Sequence, residues 1–553
     1  MLIVFLSFIY LGLTSFLMGT GLKILVEKIF SYEIKDFTSL CFAGLGFSTV
    51  YSGIFSLFYK VGALANLLLC FFCILICIFG RKSLLQYWEE EKERITGKKM
   101  IYWLFITLLF SYGSSRGYLH FDTGLYHAQA IRWIEEYGVV PGLANLHCRL
   151  AYNSSAFVLT ALYSFQFLLG RSLHTVSGFM ALLLALKALE LKHIFHKKKV
   201  MISDFVKVSA LFYLSVIYTE MMSPASDYFA MILLFFILIR WIELEERRVK
   251  EITPYCLLCV LLAVTVTIKL SAAIMLLLVI KPAFYLLKEK KYMEIGIYLG
   301  SGLAAVFPYL ARNVILSGWL VYPFAGVDLF FVDWKIPVGE VLYDSEEIKV
   351  YAKGMTDVLL KDLPMEQWLP GWFSALKTLE KLWVCSSLLS IGLILLAALY
   401  YIAKRQREKY PYLFLGMILI IGYLFWQIGT PLVRYGYIYI LVFPFFTAGI
   451  WYDLLLKKRK KAYVLFVLFL SSLGLYKGKN LLQDILRYAK QSNYVWQQDY
   501  YTGEVKAYEV EGQTFYLPLE QGQIGYEKFP GVPHERYDFE LRGEDLKEGF
   551  RRK

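Results

Sequence analysis

The sequence predicts an all-α fold, a polytopic bundle of about fourteen transmembrane helices. Apolar runs of about 20 residues, the length that spans a bilayer, recur along nearly the whole chain of 553 residues. Hydrophobic residues make up 58% and charged residues 19% of the composition, whereas a soluble domain has about 45–50% and about 25%. The formal net charge of +13 comes from basic residues clustered in short loops between the runs. That distribution is typical of membrane topology, so no nucleic-acid partner is expected.

The fourteen apolar segments are predicted to span the membrane in alternating directions. No separate cleavable signal peptide is recognised, so the first apolar run is interpreted as a membrane span. The segments lie near residues 1–20, 38–58, 61–80, 100–115, 174–195, 201–222, 226–244, 253–269, 270–287, 294–314, 384–404, 411–429, 432–452 and 462–477.

Two segments decide the count. The apolar stretch Ser155–Leu169 is interpreted as a helix in the outer interface or tucked against the bundle, because a span there would move the basic loop 197–199 outside. The stretch 253–287 is too long for one span and is divided at Thr267–Ser271. Every strong basic loop, including 457–461, then faces the cytoplasm.

This topology also predicts the domain organisation. Residues 1–99 form additional N-terminal spans, residues 100–478 form a transmembrane core with outer loops 116–173 and 315–383, and residues 479–553 form an extracytoplasmic tail. The protein is expected in the cytoplasmic membrane, surrounded by its lipids, with both termini outside. Within the tail, Gln513–Leu519 has a β-like pattern.

Polar residues collect at the outer ends of several predicted spans. Asp122 follows the fourth span, Asp227 begins a span that enters from outside, and three cations share this depth: Lys269, Arg312 and Arg434. Ionisable groups at membrane depth each cost about 2.5–3.5 kcal/mol on insertion scales, so they usually line a cavity or pair. The five residues are therefore predicted to face one outward-facing polar cavity.

Structural roles are alternatives for each of these residues. Asp122 precedes an amphipathic helix, Gly124–Tyr137, and is a candidate N-cap; Asp227 or Ser223 is a candidate cap for the later span. His127 is a candidate catalytic residue or a buried structural histidine. Lys269 and Arg434 are candidates for snorkelling to the interface, and Arg312 for anchoring a helix end.

The residue types indicate one kind of chemistry if the cavity exists. Arg and Lys bind phosphate, and a carboxylate acts as a general base toward a hydroxyl or holds a divalent cation. Whether a metal is needed stays open. Two carboxylates and three cations suit transfer from a phosphate-linked donor to an acceptor hydroxyl.

The pattern resembles the C-type glycosyltransferase superfamily, in particular its protein-mannosyltransferase and aminoarabinose-transferase branch. Asp122, the flat helix Leu125–Tyr137, the turn Tyr152–Ser155 and the outer helix Ala156–Leu169 are similar to the branch's first outer loop. TIKLS is similar to its LTKG turn, and VRYGYIYILVFPFF to its late RYLLPLLP span, which places Lys269 and Arg434 on its lysine and arginine. The block FDTGLYHAQAIRW…NLH…NSS also resembles an uncharacterised family of large bacterial membrane proteins.

This resemblance implies an integral-membrane glycosyltransferase. It would move a sugar from a polyprenyl-phosphate donor to a glycan, lipid or protein acceptor of the cell envelope. Asp122, Asp227 and His127 are the expected catalytic residues, and Lys269, Arg312 and Arg434 the expected phosphate ligands. The alternatives are an envelope polysaccharide polymerase or ligase, and a non-enzymatic transporter or scaffold.

Overall fold

The computed structural model describes residues 1–93, 95–457, 459–490, 493–500, 503–520 and 522–553. The chain is mostly helical. The helices of its first half are α1 (Leu2–Phe30), α2 (Phe37–Ser56), α3 (Ala63–Phe79), α4 (Arg81–Lys92), α5 (Gly97–Ser115), α6 (Ala128–Glu136), α7 (Ser155–Leu162), α8 (Gln166–Leu169), α9 (Val176–Ala188), α10 (Lys192–Lys197), α11 (Ile202–Ile217), α12 (Ser226–Glu246) and α13 (Thr253–Ile268).

The second half adds nine helices and two small sheets within the described residues. The helices are α14 (Ile280–Lys288), α15 (Tyr292–Ser317), α16 (Val338–Ala352), α17 (Met365–Ala375), α18 (Thr378–Ala403), α19 (Tyr410–Gly429), α20 (Val433–Tyr437), α21 (Phe443–Trp451) and α22 (Lys460–Tyr488). The strands are β1 (Val505–Val510), β2 (Gln513–Pro518), β3 (Phe539–Leu541) and β4 (Phe550–Arg552).

The apolar helices make the chain a multi-pass membrane protein. Each of the fourteen predicted segments is helical over most of its length. In the described part of the chain, nine helices are long and apolar enough to cross a membrane, or ten if the bent pair α3–α4 is one span. α5, α9, α12 and α13 are not among them. The finer count of fourteen, the membrane and the sides of the termini stay predictions, and Lys458 of the basic loop lies outside the described residues.

α12 explains why composition alone misses a central helix. Its sequence carries three or more charges in any long window, yet nearly all of its side chains are buried inside the bundle. Protein, not lipid, surrounds this helix, so its charges can pair with neighbouring helices.

α1 and α2 pack very closely against each other. A Cβ at Gly19 would lie 1.9 Å from the carbonyl oxygen of Leu40, so only glycine fits there.

A network of buried ion pairs lies near the C-terminal end of α12, and we call this end of the bundle the network end. Glu243 lies 3.1 Å from the Nζ of Lys187, 2.8 Å from the Nζ of Lys207 and 2.8 Å from the guanidinium of Arg240. Lys187 also lies 3.8 Å from Asp36, the N-cap of α2. Ion pairs therefore link α2, α9, α11 and α12 at the network end.

Three sequence predictions can be compared with the structure at the other end of the bundle. For Ser155–Leu169, the packed alternative is correct over α7, where every residue is buried, whereas α8 at its end has no buried residue. The amphipathic helix predicted for Gly124–Tyr137 begins as a π-helical turn, Thr123–His127, and continues as α6. The 3-10 helix Leu270–Val279 follows α13 at the predicted division, because Lys269 adopts an extended backbone (φ −149°, ψ 118°).

The tail forms a small β module. The predicted β-like patch is β2, which pairs antiparallel with β1 through a tight turn at Glu511 and Gly512, both with positive φ. β3 and β4 form a second antiparallel pair. Phe515, Phe539 and Phe550 pack together beneath them. The preceding helix, α22, extends past the predicted end at residue 477 to Tyr488.

Candidate functional site

Four of the predicted site residues meet in one cluster: Asp122, Asp227, Lys269 and Arg434, which we call the charge cluster. Arg434 Nη2 donates to Asp122 Oδ2 at 2.9 Å, and Arg434 Nε lies 3.4 Å from Asp227 Oδ2. Lys269 Nζ donates to Asp227 Oδ1. Arg434 therefore bridges the two carboxylates, and the two acids balance the two cations.

Helix ends bring these residues together from positions far apart in the sequence. Asp122 precedes the π-helical turn, and Asp227 lies in the first turn of α12. Lys269 lies in the extended break between α13 and the next 3-10 helix, and Arg434 in the first turn of α20. We call this end of the bundle the site end. Asp227 and Glu243 are separated by about 24 Å along α12, at about 1.5 Å per residue.

The capping alternatives for the two aspartates are wrong. Asp122 precedes its helix but makes no side-chain capping bond, and the N-cap of α12 is Ala225. Ser223 accepts the backbone N–H of His120 at 2.8 Å and does not cap α12 either. The carboxylates of both aspartates are directed to Arg434 instead.

The snorkelling alternatives for Lys269 and Arg434 are also wrong, because both cations turn toward partners inside the protein. Besides its bond to Asp227, Lys269 Nζ lies 3.7 Å from the ring centroid of Tyr435. The guanidinium of Arg434 lies 5.3 Å from the same ring. An aromatic face attracts a cation, so Tyr435 helps to hold both cations beside the carboxylates.

The charge cluster is partly accessible. The exposed fraction of the side chain is 25% for Arg434, 18% for Lys269, 16% for Asp122 and 7% for Asp227. An anionic ligand can therefore approach the two cations without unfolding of the surrounding helices. Such a ligand would compete with the two carboxylates for these cations.

His120 belongs to this site and was missed in the sequence. Arg434 Nη1 lies 2.6 Å from His120 Nε2, and the backbone nitrogen of Asp122 lies 3.2 Å from Nδ1. Burial lowers the pKa of His120 below its ordinary value, which favours the neutral ring. Its place two residues before Asp122, in the same polar turn, was the available signal.

His127, the predicted catalytic histidine, is held behind the charge cluster. Its ring packs 5.2 Å from Phe157 and 4.4 Å from Tyr126, centroid to centroid, and Nδ1 lies 3.3 Å from Thr123 Oγ1. Burial lowers its pKa well below the ordinary value. Within the described residues, His127 forms no hydrogen bond to the charge cluster. The structural alternative therefore fits His127 better.

Arg312 makes its contacts apart from the charge cluster. Its Nε donates to Asn153 Oδ1 at 2.8 Å and its Nη1 to Ser56 Oγ at 2.6 Å, and the side chain is almost fully buried. Within the described residues, no ion pair joins Arg312 to an acid. The predicted five-residue cavity is thus wrong for Arg312, which joins α15 to α2 and to the first outer loop.

The tail covers the polar face of α6 next to the site. Gln129 Nε2 donates to the carbonyls of Gly525 and Lys528 at 2.9 Å each, and Gly531 N donates to Gln129 Oε1 at 2.9 Å. Arg132 Nη1 donates to the carbonyls of Tyr526 and Glu527 at 2.7 Å each. The flat helix therefore lies between the bundle and the tail.

Gln523 brings the tail to the segment that carries Asp122. Its Nε2 donates to the carbonyl oxygen of Phe121 at 3.2 Å, and the backbone N–H of Gly525 donates to the carbonyl of Gly124 at 2.9 Å. A Cβ at Gly124 would lie 2.0 Å from Gln523 Oε1. Glycine at position 124 thus permits this close approach, and the tail supports the backbone on both sides of Asp122.

Glu135 is buried where α6 meets the tail. Ser172 Oγ donates to Glu135 Oε1 at 2.7 Å, and Tyr526 donates its hydroxyl proton to Oε2. Burial raises the pKa of Glu135 from 4.5 to about 7. The folded protein therefore holds a proton that the unfolded chain releases between these two values, and stability falls as pH rises through this interval.

We expect Glu135→Gln to remove this pH dependence. The wild type should lose up to about 3 kcal/mol of stability between pH ~4.5 and pH ~7.5, because one pKa unit corresponds to about 1.4 kcal/mol. Thermal unfolding of the purified protein across this range measures the loss. Glu136→Gln, at the neighbouring and partly exposed position, is the matched control and should keep the wild-type dependence. An unchanged dependence in Glu135→Gln would contradict this assignment.

No set of three or more His, Cys, Asp or Glu side chains is placed to hold a metal ion in the part of the chain that the structure describes. The metal requirement left open by the sequence stays untested.

Comparison with known proteins places the chain in a family. No curated protein and no solved structure matches it. One family model, described as "Domain of unknown function (DUF8201)", matches residues 1–441. This range contains α1 to α20, the whole charge cluster and His120, and it ends before the β module of the tail. The chain therefore belongs to the DUF8201 family.

Proposed function

We propose that this protein is an integral-membrane glycosyltransferase that moves a sugar from a polyprenyl-phosphate donor to a cell-envelope acceptor. The charge cluster carries the proposal. Two carboxylates and two cations from four distant segments meet at one end of a membrane bundle, and their side chains are partly exposed. Paired charges at membrane depth usually mark a functional site.

The donor phosphate would bind the two cations. Arg434 presents its planar guanidinium, which suits phosphate oxygens, and Lys269 adds a point charge. As the phosphate engages Arg434, the contact between Arg434 and Asp122 is lost. Asp227 remains beside Lys269 and fixes its position. Binding of the donor phosphate would thus free the Asp122 carboxylate, which acts as the base in the transfer.

The acceptor hydroxyl then attacks the anomeric carbon of the donor. The new bond forms between the acceptor oxygen and this carbon, and the bond from the carbon to the phosphate oxygen breaks. Asp122 accepts the hydroxyl proton, while the bond electrons leave with the polyprenyl phosphate, whose charge Arg434 and Lys269 stabilise. His120, neutral and next to Asp122, accepts a hydrogen bond from Arg434 and helps to hold the guanidinium in place.

The position of the cluster favours transfer over transport. A transporter binds its substrate near the bilayer midplane, on broken helices reached from both sides. Asp227 and Arg434 lie in the first turns of their helices, and Glu243 joins several helices at the network end. This arrangement is consistent with a site that is reached from one face.

Lys269→Met tests the proposed phosphate site. We expect it to lower transfer by about 10²-fold, the usual effect of removing one group that stabilises a developing negative charge. Lys281→Met is the matched control. Lys281 also pairs with a carboxylate, Glu245, and lies 3.8 Å from a tyrosine ring, Tyr255, but it lies near the network end.

The measurement is complementation of a deletion strain, read by profiling its lipid-linked sugars and envelope glycans. The deletion should accumulate a polyprenyl-phosphate sugar and lose one glycan modification. Lys281→Met should restore the wild-type profile at equal protein level, and Lys269→Met should not. An unchanged profile in the deletion strain, or equal rescue by both variants, would overturn the proposal.

A further inference from the structure

A large apolar cavity lies near the network end, well away from the charge cluster. It has a volume of about 420 Å³, within the range of about 300–1,000 Å³ of small-molecule sites. Segments of α1, α2, α12, α13 and α15 line it. Among them, Ala43, Gly46, Ala304 and Ala305 leave the space that larger side chains would fill.

The cavity has the depth of one membrane leaflet. Its lining residues on α13 run from Pro254 to Val264, about 15 Å at about 1.5 Å per residue. The hydrocarbon core of a bilayer is about 30 Å thick, so one leaflet contributes about 15 Å. Exposed residues of α1 and α15, among them Leu25, Ile29 and Ser301, lie at its edge. The cavity is therefore open toward the lipid.

Hydrogen-bond donors occupy the end of the cavity next to the ion-pair network. Arg240 lines the cavity and donates from Nη1 to Glu243, and its side chain is 15% exposed. In the described part of the chain, its Nε and Nη2 make no hydrogen bond, and the hydroxyl of Tyr32 makes none either. Tyr32 lies in the short connection where α1 ends and α2 begins.

We propose that this cavity binds a phospholipid of the surrounding leaflet. One acyl chain fills the apolar space between α2, α13 and α15. The phosphate lies at the polar end, where Arg240 and the Tyr32 hydroxyl donate hydrogen bonds to its oxygens. The site is distinct from the proposed donor site, because the charge cluster lies at the other end of α12.

The test uses the purified full chain in bilayer nanodiscs that contain a phospholipid with a diazirine in its acyl chain. Light should crosslink this probe to the lining of α2, α13 and α15. Ala304→Trp fills the cavity and should reduce crosslinking about tenfold, as expected for the loss of about two buried CH₂ groups. Leu303→Trp is the matched control on the same helix: Leu303 is 70% exposed and does not line the cavity.

A second comparison tests the headgroup. A diazirine-bearing diacylglycerol lacks the phosphate, so it should label the cavity less than the phospholipid does. Arg240→Gln should remove this difference. Crosslinks spread over α18 and α22, equal loss in both Trp variants, or equal labelling by the two probes would overturn the proposal. Displacement of the phospholipid by polyprenyl phosphate would assign the cavity to the donor and overturn it as well.

Discussion

Asp122→Asn is expected to lower sugar transfer by about 10²–10⁴-fold while the protein stays folded. Asn has nearly the shape of Asp and can still accept a hydrogen bond from Arg434, which lies 2.9 Å from the carboxylate. It cannot take a proton from an acceptor hydroxyl. Transfer measured at equal protein level in the complemented deletion strain, together with thermal unfolding of the purified variant, checks both parts of this result.

Asp333→Asn is the matched control for this substitution. Asp333 also pairs with an arginine, Arg542, at 2.8 Å, but this pair joins the second large loop to the tail, and Asp333 is 44% exposed. Its loss should leave transfer unchanged. Because Asp122 makes no capping bond, Asp122→Ala should not lose the ~1 kcal/mol of an N-cap. Full activity in Asp122→Asn would show that this carboxylate is not the base.

Glu243→Ala is expected to destabilise the fold by about 3–5 kcal/mol. Glu243 is the shared partner of Lys187, Lys207 and Arg240, so its removal leaves buried cations without their main counter-charge, and an uncompensated buried charge is costly. Thermal unfolding in detergent can be followed with a thiol-reactive dye once the exposed Cys77 and Cys385 are replaced by Ser, because Cys41 and Cys256 are buried and become accessible on unfolding.

Glu346→Ala is the control for Glu243→Ala. Glu346 pairs with Lys361 at 2.9 Å on the surface, and such pairs contribute about 0–1 kcal/mol. Its unfolding temperature should stay close to that of the wild type. A similar small change in Glu243→Ala would mean that water or rearranged side chains compensate the cations, and that the network is not a main source of stability.

The sequence predicted the helices and the depth of the site, but not positions around the bundle axis. Runs of apolar residues set where spans begin and end, so Asp122, Asp227, Lys269 and Arg434 were correctly placed at one depth. Arg312 was given the same depth, yet it contacts Asn153 and Ser56 instead. Hydropathy predicts the depth of a residue along a span. It does not predict which neighbouring helix the side chain of that residue contacts.

The histidines show a second limit of the sequence. A regular α-helix was predicted from Gly124, but the π-helical turn Thr123–His127 changes the angular position of the side chains that follow. His127 therefore packs against Phe157, while His120 reaches Arg434 from the preceding turn. The cover that the tail forms over Gln129 was also beyond prediction, because no local pattern connects two segments nearly 400 residues apart.

The contact between α6 and the tail has a consequence for biosynthesis. Gln129 leaves the ribosome 396 residues before its partner Gly525. At about 5–20 residues per second, this interval is on the order of 20–80 s. Throughout it, Gln129, Arg132 and Glu135 have no tail to bind, and the helices that carry the charge cluster are completed within it, at Tyr437. The polar face of α6 must therefore remain uncovered in the newly made bundle until the tail has been translated and can bind to it.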